Sequence, residues 1–289
     1  MEIVFHVGTD GSGMGEIVRA LMRNRDELWR AGVEIPSPGR YRGVFGEAIS
    51  ALKGGTASQE MQEMLLDSVI DSDNAARVVL SQSGFLGQPK RAVTAIGLHP
   101  HAHLRLDALS NLFPDSQVEF FLALQHPARL VQELVNVYKG DYNEVMTGVD
   151  PLGLRWAPML RKAMEVMPAR TIVTWAREDL PFVWPEVLRR MAGVPHSMPL
   201  QDEDTVLARL LPADHLARLK ARIAGAGNLT ISARRDMVED ALSAAEPAAL
   251  EADITLPGWS QDLIDELSEI YAADLAEVAA ISGVEFISA

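Results

Sequence analysis

Short apolar runs alternate with helical patterns along this chain, and that alternation constrains the fold more than any other feature. Each run is rich in Val, Ile, Leu, Phe or Trp. The predicted strands are residues 2–7, 77–81, 117–124 and 170–175. Nearly continuous apolar strands are typical of parallel sheets that are covered by helices on both faces. The sequence therefore predicts one three-layer α/β domain over residues 1–289, with a mostly parallel sheet flanked by helices.

Helices are predicted where apolar residues recur at a spacing of three or four. Ile17, Leu21 and Leu28 share one face of the first helix, which is expected to end near Gly32. A further helix is expected to begin at Pro127, because a proline in the first turn loses no hydrogen bond. The predicted helices cover residues 14–31, 57–72 and 101–113, together with most of the chain after the fourth strand.

The net charge of −14 is concentrated at the C-terminus. Residues 236–289 contain 13 Asp and Glu but no Lys or Arg, whereas residues 1–235 contain 27 acidic and 26 basic residues. We expect an acidic, mainly helical C-terminal segment with a solvated face; the alternative is a docking surface for a basic partner. The nearly neutral body shows no basic surface of the size that nucleic-acid binding requires, so no nucleic-acid partner is expected.

The absence of cysteine excludes disulfides, thiolate metal sites and cysteine nucleophiles, and it fits a reducing cytoplasm. The longest apolar stretches, such as "FFLAL", are too short to span a bilayer, and the N-terminus has no pattern of a signal peptide. We therefore expect a cytoplasmic protein without a membrane partner. The sequence leaves open whether the protein forms a homo-oligomer.

A glycine-rich segment, "HVGTDGSGMG", lies between the first predicted strand and the first predicted helix. Backbone N–H groups in such a turn, and at the N-terminus of the following helix, can bind phosphate. The candidate residues are Gly8, Thr9, Asp10, Gly11, Ser12, Gly13, Met14 and Gly15. The loop lacks the G-K-[ST] sequence of nucleotide triphosphatases and kinases, which disfavours those classes. A tight turn that binds no ligand is the structural alternative.

Two further segments are expected at the same edge of the sheet. "SQSGF" follows the second strand and "QHP" follows the third. Ligands of open α/β sheets bind outside the carboxyl ends of the strands, where these segments and the glycine-rich loop converge. This placement gives Ser83, Gln125 and His126 a position near the loop.

Five stretches, taken in order, resemble the bacterial sulfotransferase family over nearly the whole chain. The loop and the following "NRDELWRAGVEIPSPGRYR" are similar to a branch with the motif H-x-G-T-x-K-T-G-T-T. The other similar stretches are "VVLSQSGF", "LFPDSQVEFFLALQHPARLVQELVNVY", "WAREDLPFVWPEVLRRMAG" and "YAADLAEVAAISGVEFI".

This resemblance implies a P-loop-type fold that binds 3′-phosphoadenosine 5′-phosphosulfate (PAPS) and leaves 3′-phosphoadenosine 5′-phosphate (PAP) after transfer. Such a transferase moves the sulfonate group to a hydroxyl or amine of a small-molecule or glycan acceptor, and no metal is expected. A loop lysine stabilises the leaving oxygen, and a His or Glu takes the acceptor proton. An arginine and a serine near the third strand hold the 3′-phosphate.

The match to the family is degenerate at the positions that carry this chemistry. Gly11 stands at the lysine position, while Met14 and Gly15 replace two hydroxyl residues. Gln125 and Glu133 stand at the arginine and serine positions that hold the 3′-phosphate. Two lost contacts of about 1.5–3 kcal/mol each predict roughly hundredfold to ten-thousandfold weaker binding of PAPS or PAP. Glu133 is also expected to repel the phosphate.

Two functional hypotheses follow from this comparison. One is a working sulfotransferase in which Arg40, Arg42 or His126 replaces the lost cations. The other is a catalytically inactive sulfotransferase-like protein with a binding or assembly role. His6 and His126 are the candidate catalytic bases, although a packed histidine and a surface histidine are the respective structural alternatives.

Other polar residues have structural explanations that we favour. Glu178 and Asp179 follow the fourth strand, near the expected site, but a capping or salt-linked role fits them better. His99, His101 and His103 have a spacing that could hold a metal on a strand. Because a helix is predicted to begin there, we interpret them as exposed or capping histidines.

Overall fold

The computed structural model describes residues 1–8, 13–72, 74–227, 229–244 and 254–289. Within them, six parallel strands form one sheet in the order β2-β3-β1-β6-β7-β8, and β4 pairs with β5 in a separate antiparallel hairpin. The strands are β1 (Glu2–Val7), β2 (Val33–Glu34), β3 (Arg77–Ser81), β4 (Val93–Thr94), β5 (Gly97–Leu98), β6 (Gln117–Leu124), β7 (Thr171–Ala176) and β8 (Val284–Phe286). The predicted parallel α/β sheet is confirmed.

Helices cover both faces of the sheet. They are α1 (Met14–Arg23), α2 (Arg25–Arg30), α3 (Pro38–Tyr41), α4 (Val44–Leu52), α5 (Gln59–Val69), α6 (Ala102–Ser110), α7 (Pro127–Val137), α8 (Tyr142–Met146), α9 (Ala157–Val166), α10 (Leu180–Ala192), α11 (Leu207–Leu210), α12 (Ala213–Gly225), α13 (Ile231–Ser243) and α14 (Gln261–Ala279). Short 3₁₀ turns occupy Ser83–Leu86, Pro89–Arg91, Pro151–Gly153 and Arg177–Asp179.

Alternation along the strands divides the core into two layers. Ile3, Phe5 and Val7 face a layer that includes α4–α7, α9 and α14, whereas Val4 faces a layer that includes α1, α2 and α10. Successive side chains of a strand point to opposite faces, so this division follows directly from the apolar runs. His6 lies on the same face of β1 as Val4, which directs its ring toward the layer of α1 and α10.

The helix predicted over residues 14–31 is interrupted at Asn24, and that prediction was wrong at this point. The buried Asn24 amide donates to the carbonyl groups of Ala20 (2.8 Å) and Gln201 (3.0 Å) and accepts from the Gln201 N–H (2.6 Å). These contacts turn the chain into α2, because an asparagine that bonds the backbone competes with continued helix. Strands β2, β4, β5 and β8, each of two or three residues, were not predicted.

The C-terminal segment contacts the domain through some of its acidic residues. Asp274 of α14 is buried and accepts hydrogen bonds from the N–H groups of Trp156 (2.5 Å) and Ala157 (3.1 Å). Glu277 pairs with Arg155 and Arg161. The expected solvated face therefore describes only part of α14, and β8 adds the edge strand beside β7. In the part of the chain that the structure describes, no helix has the length and apolar character to cross a lipid bilayer.

Candidate functional site

The order of the strands reverses at β1, so the carboxyl end of β1 is the switch point of the sheet. Strands β2 and β3 lie on one side of β1, and β6, β7 and β8 lie on the other. In open α/β sheets this crevice is the usual ligand position. Gly8 follows the strand, Gly13 precedes α1 in a left-handed conformation (φ 84°), and Thr9, Asp10, Gly11 and Ser12 lie outside the described residues.

Arg177 places a guanidinium beside this loop. A Cβ atom at Gly13 would lie 3.9 Å from Arg177 Nε, and Arg177 Nη1 donates to Gln125 Oε1 at 2.8 Å. The same Nη1 pairs with the Glu133 carboxylate. Gln125 follows β6 and Arg177 follows β7, and the parallel register pairs Leu124 with Ala176. The register therefore brings these two side chains together.

Arg177 contacts both Gln125 and Glu133 and so brings them together. Arg177 was not among the site residues predicted from the sequence. In the same segment, Glu178 and Asp179 were noted for their position after the fourth strand. Glu133 was expected to repel a bound phosphate, but in the structure Arg177 compensates its negative charge. A usable signal was the position of Arg177 just after the predicted fourth strand, as Gln125 stands just after the predicted third strand.

His6 is fully buried near the carboxyl end of β1. Its ring has no exposed surface, Nδ1 lies 2.9 Å from Ser81 Oγ, and Nε2 has no partner among the described residues. Burial lowers the pKa of His6 to about 3, so the ring is neutral at physiological pH. Its ring centroid is 6.2 Å from that of Trp175. This geometry supports the packed, structural alternative for His6.

His126 caps α7 with its side chain. Nδ1 accepts from the Ala128 N–H at 3.2 Å, which requires the proton to be on Nε2. Nε2 therefore donates to Ser268 Oγ at 3.2 Å. Burial also lowers the pKa of His126, although the nearby Glu178 charge opposes that effect. With both nitrogens engaged, His126 is neither a free base nor a ready cation in this conformation.

Glu178 and Asp179 also have structural partners. Glu178 accepts from the His126 backbone N–H at 2.9 Å and from the Tyr271 hydroxyl at 3.0 Å. Burial, followed by the neighbouring Glu178 charge, raises the pKa of Asp179. Glu178 thus joins the ends of β6 and β7 to α14, as expected from a structural role.

The loop cations Arg40 and Arg42 do not meet this site in the structure. Arg40 pairs with Asp71 at 2.6 Å and contacts the Ile70 carbonyl, while Arg42 is exposed. Ser83 begins the 3₁₀ turn after β3. These residues are absent from the described lining of the cleft beside Arg177.

The three predicted histidines of the "HPHAH" segment do not form a cluster of ligands. His99 is buried and its ring stacks on Trp156 at a centroid distance of 5.9 Å, whereas His101 is exposed. His103 lies in α6 and is mostly buried. The interpretation as exposed or capping histidines was therefore wrong for His99 and His103, which pack in the interior. Among the described residues no group of three or more His, Asp or Glu side chains is arranged to hold a metal ion.

A cleft of about 570 Å³ opens beside Arg177. Its charged lining consists of Glu16, Arg129, Arg177, Glu178, Arg209 and Glu239, and its apolar lining includes Leu180, Phe182, Val206, Leu210 and Leu242. Arg209 binds both carboxylate oxygens of Glu16 through its two terminal nitrogens, one at 2.6 Å. That hydrogen bonding lowers the pKa of Glu16. The carboxylate in the first turn of α1 is therefore compensated.

Neither a protein-family model nor a curated protein sequence matches this chain. The function must accordingly be argued from the chemistry of the site itself.

Proposed function

We propose that this chain is a sulfotransferase-like binding protein that holds a phosphate- or sulfate-bearing ligand at the carboxyl end of β1. In this proposal it does not transfer sulfonate from PAPS efficiently. The resemblance of the sequence suggests the class, while the residues of the site suggest the loss of chemistry. A cytoplasmic location, supported by the lack of cysteine, belongs to the same proposal.

The position of Arg177 carries the proposal. Its guanidinium lies beside Gly13, at the N-terminus of a ten-residue helix. The first N–H groups of an α-helix in general lack carbonyl partners four residues before them. Helix N-termini favour anions, and a guanidinium can donate two parallel hydrogen bonds to an oxyanion. Arg177 thus supplies a cation to a loop that has no lysine.

The surroundings of Arg177 argue against efficient sulfonate transfer. The guanidinium is shared with Gln125 and Glu133, which oppose its use as a stabiliser of a departing oxygen. Of the two candidate bases, His6 is fully buried, and His126 has both ring nitrogens engaged in hydrogen bonds as the cap of α7. Positioned proton transfer typically contributes a rate factor of about 10²–10⁴, so its loss would leave little transfer activity.

A working sulfotransferase remains the second hypothesis, in which Arg177 takes the role of the lysine. It would act on a small-molecule or glycan acceptor. Its support is the short approach of Arg177 to Gly13, which would place positive charge near a bound phosphosulfate. The two hypotheses differ in whether PAPS is consumed.

The test combines binding and turnover. Calorimetry should show that the protein binds pyrophosphate, and Arg177→Gln should weaken binding by about tenfold to a hundredfold, the equivalent of one charge-assisted contact. Arg40→Gln is the control, because Arg40 pairs with Asp71 outside the cleft. Incubation with PAPS should release no PAP above the protein-free background. Absence of pyrophosphate binding contradicts the binding function, and PAP release that depends on Arg177 supports the transferase.

A further inference from the structure

The cleft beside Arg177 lies at the seam between two apolar clusters. Phe182 and Leu210 pack both against the layer that includes α1 and α10 and against a smaller cluster within α11–α13. Both side chains are half-buried and line the cleft. The buried members of the smaller cluster are Leu207, Leu211, Leu219, Val238 and Leu242. Ligand pockets are common where two such packed units meet, so the position of the cleft favours a binding role.

Six apolar side chains line the cleft. They come from the start of α10, from α11 and the residue before it, and from the end of α13, and they are Leu180, Pro181, Phe182, Val206, Leu210 and Leu242. A phosphate or sulfate group alone would leave these side chains in contact with water. The volume of about 570 Å³ is in the range of pockets that enclose a small organic ligand. The lining therefore fits a ligand that carries an apolar chain.

One of the three arginines in the cleft lacks a counter-charge in the described part of the chain. Arg209 pairs with Glu16, and Arg177 pairs with Glu133. The third, Arg129 of α7, is half-buried, and its guanidinium forms no ion pair with any residue in the described ranges. The cleft thus combines an apolar lining with a cation that a ligand could neutralise.

Arg129 also occupies an unfavourable place in its helix. It lies in the first turn of α7, which begins at Pro127. The helix dipole puts partial positive charge at that end, so a cation there destabilises the helix. Burial lowers the pKa of His126, the Glu178 charge opposes this shift, and the Arg129 charge adds to it. An anion bound in the cleft would supply the counter-charge that the described residues do not.

The surroundings of Arg129 limit the charge of that anion. Glu178 lies at the same turn of α7, because its carboxylate accepts from the His126 N–H at 2.9 Å. A dianionic phosphate monoester would be repelled by this carboxylate more strongly than a group with a single charge. A carboxylate has one charge, and its two oxygens match the planar guanidinium.

We propose that the cleft binds a single-chain amphiphile with one negative charge, a fatty-acid carboxylate. The carboxylate pairs with Arg129, and the chain lies along Phe182, Leu210 and Leu242 between α10 and α13. This site goes beyond the proposed function, because its cation belongs to α7 and not to the glycine-rich loop or the N-terminus of α1.

Octanoate and its shorter homologue hexanoate are the probes. Calorimetry at one fixed salt concentration should give a saturable one-site isotherm, with affinity rising about fourfold for each added methylene. Octyl phosphate at about pH 8, where its phosphate carries nearly two charges, should bind more weakly than octanoate although the chain has the same length. Equal affinities of hexanoate and octanoate, or tighter binding of octyl phosphate, overturn the proposal.

Arg129→Gln is the decisive variant. It should weaken octanoate binding about tenfold to a hundredfold, the effect of one charge-assisted contact. The melting temperature without ligand should not fall, because the variant removes a cation that opposes the helix dipole. Arg105→Gln, at an exposed position of α6 outside the described lining, is the matched control and should keep the octanoate affinity within about twofold. Parental octanoate affinity in Arg129→Gln, or a lowered melting temperature, overturns the assignment.

Leu210→Ser tests the apolar part of the cleft. Because Leu210 is half-buried, the substitution should reduce the gain in affinity per methylene and leave the effect of Arg129→Gln in place. An unchanged gain in a variant that melts normally overturns the placement of the chain, and the parental series of homologues stands even if the variant does not fold.

The outcomes separate this inference from the proposed function. Binding of pyrophosphate without binding of octanoate overturns the fatty-acid site and leaves the anion site at β1. Binding of octanoate that depends on Arg129, without binding of pyrophosphate, supports the fatty-acid site and overturns the proposed function.

Discussion

Glu119 of β6 and Arg190 of α10 form a two-point ion pair, with N–O distances of 3.0 and 2.7 Å. The Glu119 side chain is 6% exposed and also accepts from Arg77 of β3 at 2.7 Å. Burial alone would raise the pKa of Glu119, but the hydrogen bonds from both arginines lower it overall. Arg190 additionally binds Glu285 of β8, so one cluster joins three strands and a helix.

We expect Glu119→Gln to lower the free energy of unfolding by about 3–5 kcal/mol, because it leaves two arginines without their buried counter-charge. Urea unfolding at neutral pH measures the change. Glu27→Gln, at an exposed ion pair, should cost less than about 1 kcal/mol. Similar small losses in both variants would show that the cluster does not stabilise the sheet.

The buried His6 makes stability depend on pH. Its folded-state pKa is about 3, below the ordinary value of 6.5, so the unfolded chain takes up a proton first as the pH falls. Stability should therefore decrease from pH 6.5 towards pH 3, with a limiting slope of about 1.4 kcal/mol per pH unit from this group. His99, with a pKa of about 4, adds a decrease over the upper part of that window.

His6→Asn keeps a polar atom near Ser81 Oγ and removes the titration, so it should reduce this slope by about 1.4 kcal/mol per pH unit below pH 6. Urea unfolding of parent and variant at several pH values gives the difference, in which the carboxylates common to both proteins cancel. The exposed His196 supplies the control as His196→Asn. Parallel profiles for parent and His6→Asn would contradict the prediction.

Glu16 should oppose ligand binding at the N-terminus of α1. Its carboxylate lies in the first turn of the helix, where negative charge competes with a bound anion. Arg209 compensates that charge, so we expect Glu16→Gln to strengthen pyrophosphate binding only about twofold to fivefold. Arg209→Gln should weaken it by a comparable factor. Calorimetry at low salt tests both variants. Weaker pyrophosphate binding by Glu16→Gln together with stronger binding by Arg209→Gln would exclude an anion site near this turn.

Asp274 should anchor the C-terminal helix. It caps α9 through the N–H groups of Trp156 and Ala157, and Arg155 lies 3.3 Å away. We expect Asp274→Ala to destabilise the protein by about 2 kcal/mol, the upper value for loss of a helix cap. Glu269→Ala, at an exposed position of the same helix, should change stability by less than about 0.5 kcal/mol. Equal unfolding midpoints for the two variants would contradict the anchoring role.

The central strands could be predicted from the sequence because their apolar runs are continuous. Parallel strands that are buried on both faces require that composition, so β1, β3, β6 and β7 are visible locally. Strands β2 and β8 contain two and three residues, too few for any periodicity. The break at Asn24 was also hidden, because its cause is a contact with Gln201, 177 residues away.

Some features of the candidate site could likewise be predicted from the sequence, and others could not. The glycines around the loop and the positions of Gln125 and Glu133 were evident from order along the chain, because local conformation and strand ends determine them. The sequence did not reveal the role of Arg177, the capping of α7 by His126 or the pairing of Arg209 with Glu16. Ion pairs and histidine tautomers depend on which elements the fold brings within about 3 Å, and hydrogen-bond energy falls steeply with distance and angle. Local sequence thus determined the central strands, whereas only tertiary packing, of β6, β7 and α7 around Arg177 and of α11 against α1, decided which charge neutralises which.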